Sequence, residues 1–378
     1  MNTFNEFNIK KQLRKAVDGL GFEKPTPIQQ ASYATILAGS DFVGIAQTGT
    51  GKTIAYLLPV LQDLKFSEQP QPRVLILVPT RELVIQIVDQ IEKLTPYLSV
   101  RVLGVYGGSN NIVGQKQALS EGVDVIVGTP RRLYDLALSN LLRLKFIKKL
   151  VIDEVDIMLD FGYKTQLKNI FELLPLKRQN ILFSATMTSY VDELTDGFLI
   201  NPVKKTISIS GKPLDNISQE CYSVPNFYTK ANLVKRLLKD KTAFSKVLVF
   251  VGTKTHADAL FELLGSESDV SVIHSGKEQN HRTRSIEKFA DGTSNVLIAT
   301  DVIARGIDID NLDAVINFDI PNVSETYVHR IGRTGRAGNS GNAYSFCSAD
   351  EKPYIADIQQ LINTVIPVMD EHPYVLDP

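Results

Sequence analysis

Apolar residues in this chain gather in short, nearly continuous runs that alternate with stretches of helical spacing. Asp41-Phe42-Val43-Gly44-Ile45, Arg73–Val78, Val100–Val105, Asp124–Val127, Leu150–Ile152 and Asn180–Phe183 are built almost entirely of Val, Ile, Leu and Phe. Such runs predict parallel strands covered on both faces, because half-exposed strands would alternate apolar with polar residues. Residues 8–20 carry Ile9, Leu13, Ala16, Val17 and Leu20 at helical spacing, with Asn8 as N-cap and Gly21 as the stop. Pro25 and Pro27 then fix a rigid turn entering a new helix near Ile28. Each apolar run is followed by polar or glycine-rich residues. In an open parallel sheet that carboxyl edge is where ligands bind.

From Lys204 to Gln219 the rhythm breaks, and Ile207–Asn216 reads as a linker. It resumes with strands expected at Val247–Phe250, Val270–Ile273, Val296–Ala299, Ala314–Phe318 and Ala343–Phe346. A last helical pattern, Ile355, Ile358, Leu361, Ile362 and Val365, has one apolar face and reads as a packing helix. The pattern predicts an α/β protein of two tandem parallel-sheet domains, residues 1–206 and 217–378, joined by residues 207–216.

Composition narrows this little. A chain of 378 residues suits two cores better than one. The net charge of −1 gives no global attraction to nucleic acid, so a polyanion partner needs a local patch. No run reaches the roughly 18 apolar residues of a membrane span. Met1–Glu6 does not read as a signal peptide. Cys221 and Cys347 have no CxxC spacing, so neither a disulfide framework nor a zinc site is expected, and a reducing cytoplasm is.

The stretch Ala46-Gln47-Thr48-Gly49-Thr50-Gly51-Lys52-Thr53 carries the most specific chemistry. It lies between a strand and a helix, as a phosphate-binding loop must. Glycines let backbone N–H groups converge on an anion, and the helix N-terminus adds partial positive charge. Lys52 would reach the β- and γ-phosphates, and Thr53 would ligate Mg²⁺. The first position of the usual pattern is Ala46 rather than Gly. Asp153-Glu154 follows another apolar run. Asp153 suits a hydrated Mg²⁺, and Glu154, pointing across the pleat, would take a proton from water. Gln29 on its rigid turn suits the N6/N7 edge of adenine, and Phe22 suits stacking. The same residues describe equally well a capped helix start with a buried Phe. Arg330, Arg333 and Arg336 recur every three residues among glycines, a pattern suited to phosphoryl oxygens if the second domain lends them to hydrolysis.

Taken in order, Pro-Thr-Pro-Ile-Gln, Ala-Gln-Thr-Gly-Thr-Gly-Lys-Thr, Pro-Thr-Arg-Glu-Leu, Asp-Glu-Val-Asp, Ser-Ala-Thr and His-Arg-Ile-Gly-Arg-Thr-Gly-Arg resemble the DEAD-box family of ATP-dependent RNA helicases, from Phe4 to Gly338. The resemblance implies two RecA-like domains, ATP and Mg²⁺ as cofactors, RNA as partner and a monomeric enzyme. It implies adenine recognition by Phe4, Phe22 and Gln29, and nucleotide contact at Asp308. It makes Lys52, Glu154, Arg333 and Arg336 catalytic, with Thr53 and Asp153 at the metal. Asp156, Ser184, Thr186, His329 and Arg330 would couple ATP state to RNA state. Arg81, Gly108, Thr129, Arg132, Gln279, Arg282 and Thr300 would hold the RNA backbone without reading bases. Thr129 alone also reads as the cap of its own turn. The end of the chain, near Ile366-Pro367-Val368 and Glu371–Tyr374, resembles the bacterial RhlE-like branch without its basic tail, as in a truncated core.

Three positions depart from the family. Val155 stands where Ala is usual, and local repacking is expected. Arg131 stands where Gly is usual. A side chain there resists positive φ, so an altered loop and an added phosphate contact are expected. Ser275 separates His274 from Gly276. The residues themselves leave an ATP-dependent RNA clamp and a DNA translocase open as alternatives.

Overall fold

The computed structural model describes residues 3–47, 49–107, 112–207, 216–241, 244–265, 269–304, 312–335 and 340–369, without the side chains of residues 112, 113, 279, 302 and 303. The chain divides into two compact units, Met1–Ser208 and Ile209–Pro378.

In the first unit the strands are β1 (Phe42–Ala46), β2 (Val74–Leu77), β3 (Val102–Val105), β4 (Val125–Gly128), β5 (Lys149–Ile152), β6 (Gln179–Ser184) and β7 (Val203–Ile207). They pair in parallel in the order β3-β4-β2-β5-β6-β1-β7. The helices are α1 (Lys11–Gly19), α2 (Pro27–Leu37), α3 (Lys52–Asp63), α4 (Arg81–Leu94), α5 (Ile112–Glu121), α6 (Pro130–Leu138), α7 (Val155–Asp160), α8 (Lys164–Leu173) and α9 (Ser189–Phe198). Alternate residues of each central strand enter different cores. Phe42, Ile76, Val151 and Phe183 lie in one, and Val43, Leu75, Ile152 and Leu182 in the other. Covering both faces explains why these strands lack any polar alternation.

The second unit repeats the scheme. Strands β8 (Ile217–Ser223), β9 (Val247–Val251), β10 (Val270–Ile273), β11 (Val296–Thr300), β12 (Ala314–Asn317), β13 (Gly341–Cys347) and β14 (Val368–Met369) pair in the order β10-β11-β9-β12-β13-β8-β14. Helices α10 (Phe227–Leu237), α11 (Lys254–Leu264), α12 (Gln279–Ala290), α13 (Asp301–Ala304), α14 (Ser324–Ile331) and α15 (Lys352–Ile362) connect them. Counted from the first strand of each unit, the two sheet orders are identical. Together they form two tandem RecA-like parallel-sheet domains. Among the described residues no helix is long and apolar enough to cross a membrane.

The elements differ from the sequence pattern where tertiary contacts replace local ones. α1 begins three residues after Asn8. The Asn8 carbonyl accepts from the Tyr33 hydroxyl at 2.9 Å, and the Lys10 N–H donates to Gln62 Oε1 at 2.8 Å, so the first turn is spent on α2 and α3 rather than on helix. The stretch that reads as a break contains β7 and β8. Residues 208–215 of the expected linker lie outside the described residues. Arg131 sits in the first turn of α6 and is not among the residues with positive φ, so its side chain puts no left-handed strain on the backbone there. Pro130 at the first helical position already sets the backbone for a helix.

Candidate nucleotide and nucleic-acid site

The register of the first sheet assembles the motifs. β5, β6 and β1 are neighbours, with Ile152 opposite Leu182 and Ile45 opposite Ser184. The glycine loop after β1, Asp153 after β5 and Ser184-Ala185-Thr186 at the end of β6 therefore meet on one carboxyl edge. Gly49 and Gly51 adopt φ of +76° and +87°, the left-handed region that L side chains avoid. A Cβ on Gly51 would also collide with the Gln29 amide. Gly51 is the N-cap of α3 and supplies no side-chain cap. Lys52 follows at once, 6% exposed, and its Nζ has no hydrogen-bond partner among the described residues. A buried ammonium without hydrogen bonds is costly and points to an anion.

Asp153 is buried beside it. Its Oδ2 accepts from the Tyr56 hydroxyl at 2.9 Å and its Oδ1 from the Glu154 N–H at 2.9 Å. Burial pushes the Asp153 carboxyl above the ordinary value, offset only in part by Lys52, Tyr56 and the Glu154 N–H. Burial likewise holds the Tyr56 phenol well above its usual range, with Asp153 adding to the effect. Glu154 does not lie on a pleated strand, because β5 ends at Ile152. It caps α7 in the left-handed region, φ +53° and ψ +50°, which is uncommon for Glu. The turn, not strand alternation, separates the two carboxylates. Val155 is fully buried in the second core of the unit.

Asp156 Oδ2 accepts from the N–H groups of Ala185 and Thr186 at 3.2 and 3.1 Å and from the Thr186 hydroxyl at 3.1 Å. One carboxylate thus ties the acidic turn to Ser184-Ala185-Thr186, whose Ser184 Oγ is buried without a hydrogen-bond partner among the described residues. Gln29 Oε1 accepts from the Thr26 N–H at 2.9 Å, and Nε2 donates to the Gly51 carbonyl at 3.2 Å. The amide therefore does cap its turn, yet it keeps one hydrogen and one lone pair. Phe22 is 37% exposed, whereas Phe4 is 3% exposed and packs against Phe7 and Phe22. Phe22 can offer a face to a base; Phe4 supports it from the core.

Thr129 is the N-cap of α6 but makes no side-chain cap hydrogen bond, so its hydroxyl is not consumed by its own turn. Arg132 places Nε and Nη2 on Gln115 Oε1 at 3.1 and 3.0 Å. Arg81 opens α4 with its guanidinium 4.5 Å from the Tyr106 ring centroid. In the second unit Thr300 ends β11, Arg282 lies on α12, and His329 and Arg333 are buried. Arg330 is buried in the second unit. Its Nε and Nη2 hold Asp301 at 2.6 and 2.8 Å, and Nη1 donates to the Asp319 carbonyl at 2.6 Å. It clamps α14 to the end of β11. Gly276 donates its N–H to His274 Nδ1 at 3.1 Å, and a Cβ there would press on the same ring. Thr48, Gly108, Asp308, Arg336 and the Gln279 side chain lie outside the described residues.

Two contacts were not legible as function. Tyr56 is 97 residues from Asp153, and Gln115 is 17 from Arg132. The available signal for the first was the spacing of Thr53 and Tyr56, three apart on one face of α3. Among the described residues no group of three or more His, Cys, Asp or Glu side chains is set to hold a metal ion. A metal at Thr53 and Asp153 would need further oxygens from a bound phosphate.

Residues 26–194 match the DEAD/DEAH box helicase profile, and residues 229–338 the helicase conserved C-terminal domain. The chain is 38% identical over 362 residues to ATP-dependent RNA helicase DeaD of Haemophilus influenzae, covering 95% of this chain and 58% of that protein. It is 36% identical to eukaryotic initiation factor 4A of Drosophila melanogaster, covering 97% and 91% respectively. Against the S. cerevisiae Dbp5 structure with RNA and ADP BeF3 the TM-score is 0.88 at 30% identity, over 98% of this chain and 96% of that one. Against Mss116p with ssRNA and AMP-PNP it is 0.88 at 27% identity, over 98% and 80%. With both profiles in sequence order on the edge residues just described, the chain belongs to the DEAD/DEAH box helicase family.

Proposed function

We propose that the chain is an RNA-stimulated ATPase that locally separates RNA duplexes. The observation that carries this reading is the buried Lys52 ammonium, without a hydrogen-bond partner among the described residues, at the start of α3 beside Asp153. A phosphate is the partner it lacks, and Gln47–Gly51 would surround that phosphate with N–H groups. The spare hydrogen and lone pair of Gln29, with the exposed face of Phe22, favour adenine. Mg²⁺ bound with the nucleotide would neutralise phosphate charge, and Thr53 and Asp153 are the donors suited to hold it. Glu154 would take the proton of the attacking water. Asp156 would pass changes at the phosphates to Ser184 and Thr186.

Arg81, Gly108, Thr129 and Arg132 would grip the RNA backbone from domain 1, residues 1–206. Gln279, Arg282 and Thr300 would do so from domain 2, residues 217–378. With ATP and RNA bound, the domains close about the linker, residues 207–216. Arg333 and Arg336 then meet the γ-phosphate and Asp308 the ribose. His329 and Arg330 brace that arrangement. Closure bends one strand out of duplex geometry, and hydrolysis reopens the domains. The names of the Haemophilus relative and the ligands in the Dbp5 and Mss116p structures support RNA and ATP as partners. The protein is read as a cytoplasmic monomer.

ATPase and strand-displacement assays of wild type and Glu154→Gln test this. Single-stranded RNA should raise ATPase activity, and Glu154→Gln should lower kcat by about 10²–10⁴-fold while an ATP analogue and RNA still bind. Equal stimulation by DNA would favour a translocase. Hydrolysis without displacement would favour a clamp. A normal rate in Glu154→Gln would remove the base assignment.

A further inference from the structure

Resting on the nucleotide site proposed above, we infer that Tyr56 is a positioning residue for the metal: its hydroxyl holds the Asp153 carboxylate in the orientation that receives Mg²⁺ beside Thr53. The Tyr56 side chain is fully buried. Its hydroxyl donates to Asp153 Oδ2, while the Glu154 N–H donates to Oδ1, both at 2.9 Å. Each carboxylate oxygen thus has one fixed donor and keeps lone-pair capacity for a metal or its water. Two donors on opposite oxygens fix the plane of the group, which one alone would leave free to rotate. Thr53 lies three residues earlier on the same face of α3. One helix face therefore carries both the hydroxyl that holds Asp153 and the other side chain assigned to the metal.

The ring has a separate task. It packs 5.5 Å from Phe183, which packs 5.6 Å from Phe42, and Phe183 directly precedes Ser184. A phenylalanine would satisfy that packing. The hydroxyl adds nothing to the core and needs a partner when buried. Its partner is the one carboxylate on this edge with a proposed metal role. Groups that orient metal-ligating carboxylates typically change metal affinity about 10–100-fold when removed.

The test measures binding of a fluorescent non-hydrolysable ATP analogue to the full chain, wild type and Tyr56→Phe, in EDTA and across a Mg²⁺ titration. The analogue Kd in EDTA should stay within about twofold. The Mg²⁺ concentration giving half of the metal-dependent gain should rise about tenfold in Tyr56→Phe. 4-Aminophenylalanine at position 56, which restores an N–H donor, should return it toward wild type. If Tyr56→Phe does not fold, 4-fluorophenylalanine fills the same space without donating and is held to the same criterion. An unchanged Mg²⁺ midpoint overturns the proposal. So does equal weakening in EDTA and Mg²⁺, which is the mark of packing alone. Absence of analogue binding by wild type in either buffer would instead remove the nucleotide site, and this role with it.

Discussion

Lys52 and Lys230 occupy comparable places in two sheets of the same strand order, each buried near the start of the helix after the first strand. Each faces an aspartate that follows the fifth strand. In the second unit that constellation is closed: Lys230 Nζ lies 2.7 Å from Glu351 and 3.3 Å from Asp319. Asp319 also accepts from the Gly252 N–H and meets His256 Nδ1, both at 2.8 Å. In the first unit Lys52 has no hydrogen-bond partner among the described residues, and a glycine loop replaces the Asn226 cap of α10. The carboxyls respond in opposite directions. Burial raises Asp153 and its neighbours fail to offset it. Burial also opposes Asp319, but Gly252, His256 and Lys230 outweigh it and hold that carboxyl low. The same strand order thus surrounds one lysine with its own counter-ions and leaves the other without a hydrogen-bond partner among the described residues.

The two lysines give the widest separation. Lys52→Met should weaken nucleotide binding by at least about 10²-fold, as expected when a charge-assisted contact to phosphate is lost. It should also raise the urea stability of the nucleotide-free protein slightly, by less than about 1 kcal/mol, since an ammonium without hydrogen bonds gives way to an apolar chain and only its attraction to Asp153 is lost. Lys230→Met should do the reverse, costing about 3–5 kcal/mol by stranding two buried carboxylates. Stability losses of the same sign and size would erase the distinction.

A smaller effect lies in the pH profile. The carboxyl of Asp319 is depressed in the folded protein, so its stabilisation is present above the unfolded value of about 4 and lost as pH falls through the lower folded value. The acid limb of stability should be shallower in Asp319→Asn than in wild type, with Lys230, His256 and Glu351 still in place. Superimposable limbs in urea titrations from neutral pH downward would contradict this. The smallest expected change is at Arg131, exposed in the first turn of α6. Arg131→Ala should reduce the salt slope of single-stranded RNA binding by about 0.7, one phosphate contact. An unchanged slope would leave Arg131 as a solvated charge.

Legibility followed locality and burial. β1, β2, β4, β5 and β6 were readable because both their faces are buried, which writes an apolar run directly into the chain. β7, Val-Lys-Lys-Thr-Ile, and the two-residue β14 were not, because one is exposed and charged and the other too short to carry a pattern; the edge strands β3 and β10, rich in Val, Leu and Ile, were. Lys52, Thr53 and Asp153 could be singled out from the sequence because phosphate chemistry dictates short motifs. The Arg330 clamp on Asp301, 29 residues away, and the left-handed turn at Glu154 could not, since each depends on what the fold brings alongside.

β7 also has a mechanical consequence. It pairs with β1 along five successive positions, from Phe42↔Val203 to Ala46↔Ile207, and the last lies at the root of the glycine loop. Tension drawn along the chain at Ile207 loads those rungs side by side, in shear, and its first recipient is the strand that carries the loop. Force on the polypeptide leaving the first unit is therefore delivered to the glycine-rich turn after β1 rather than dissipated in a surface helix. A tether at residue 207 should rupture at higher force with an ATP analogue bound; equal forces would show strand and loop to be mechanically separate.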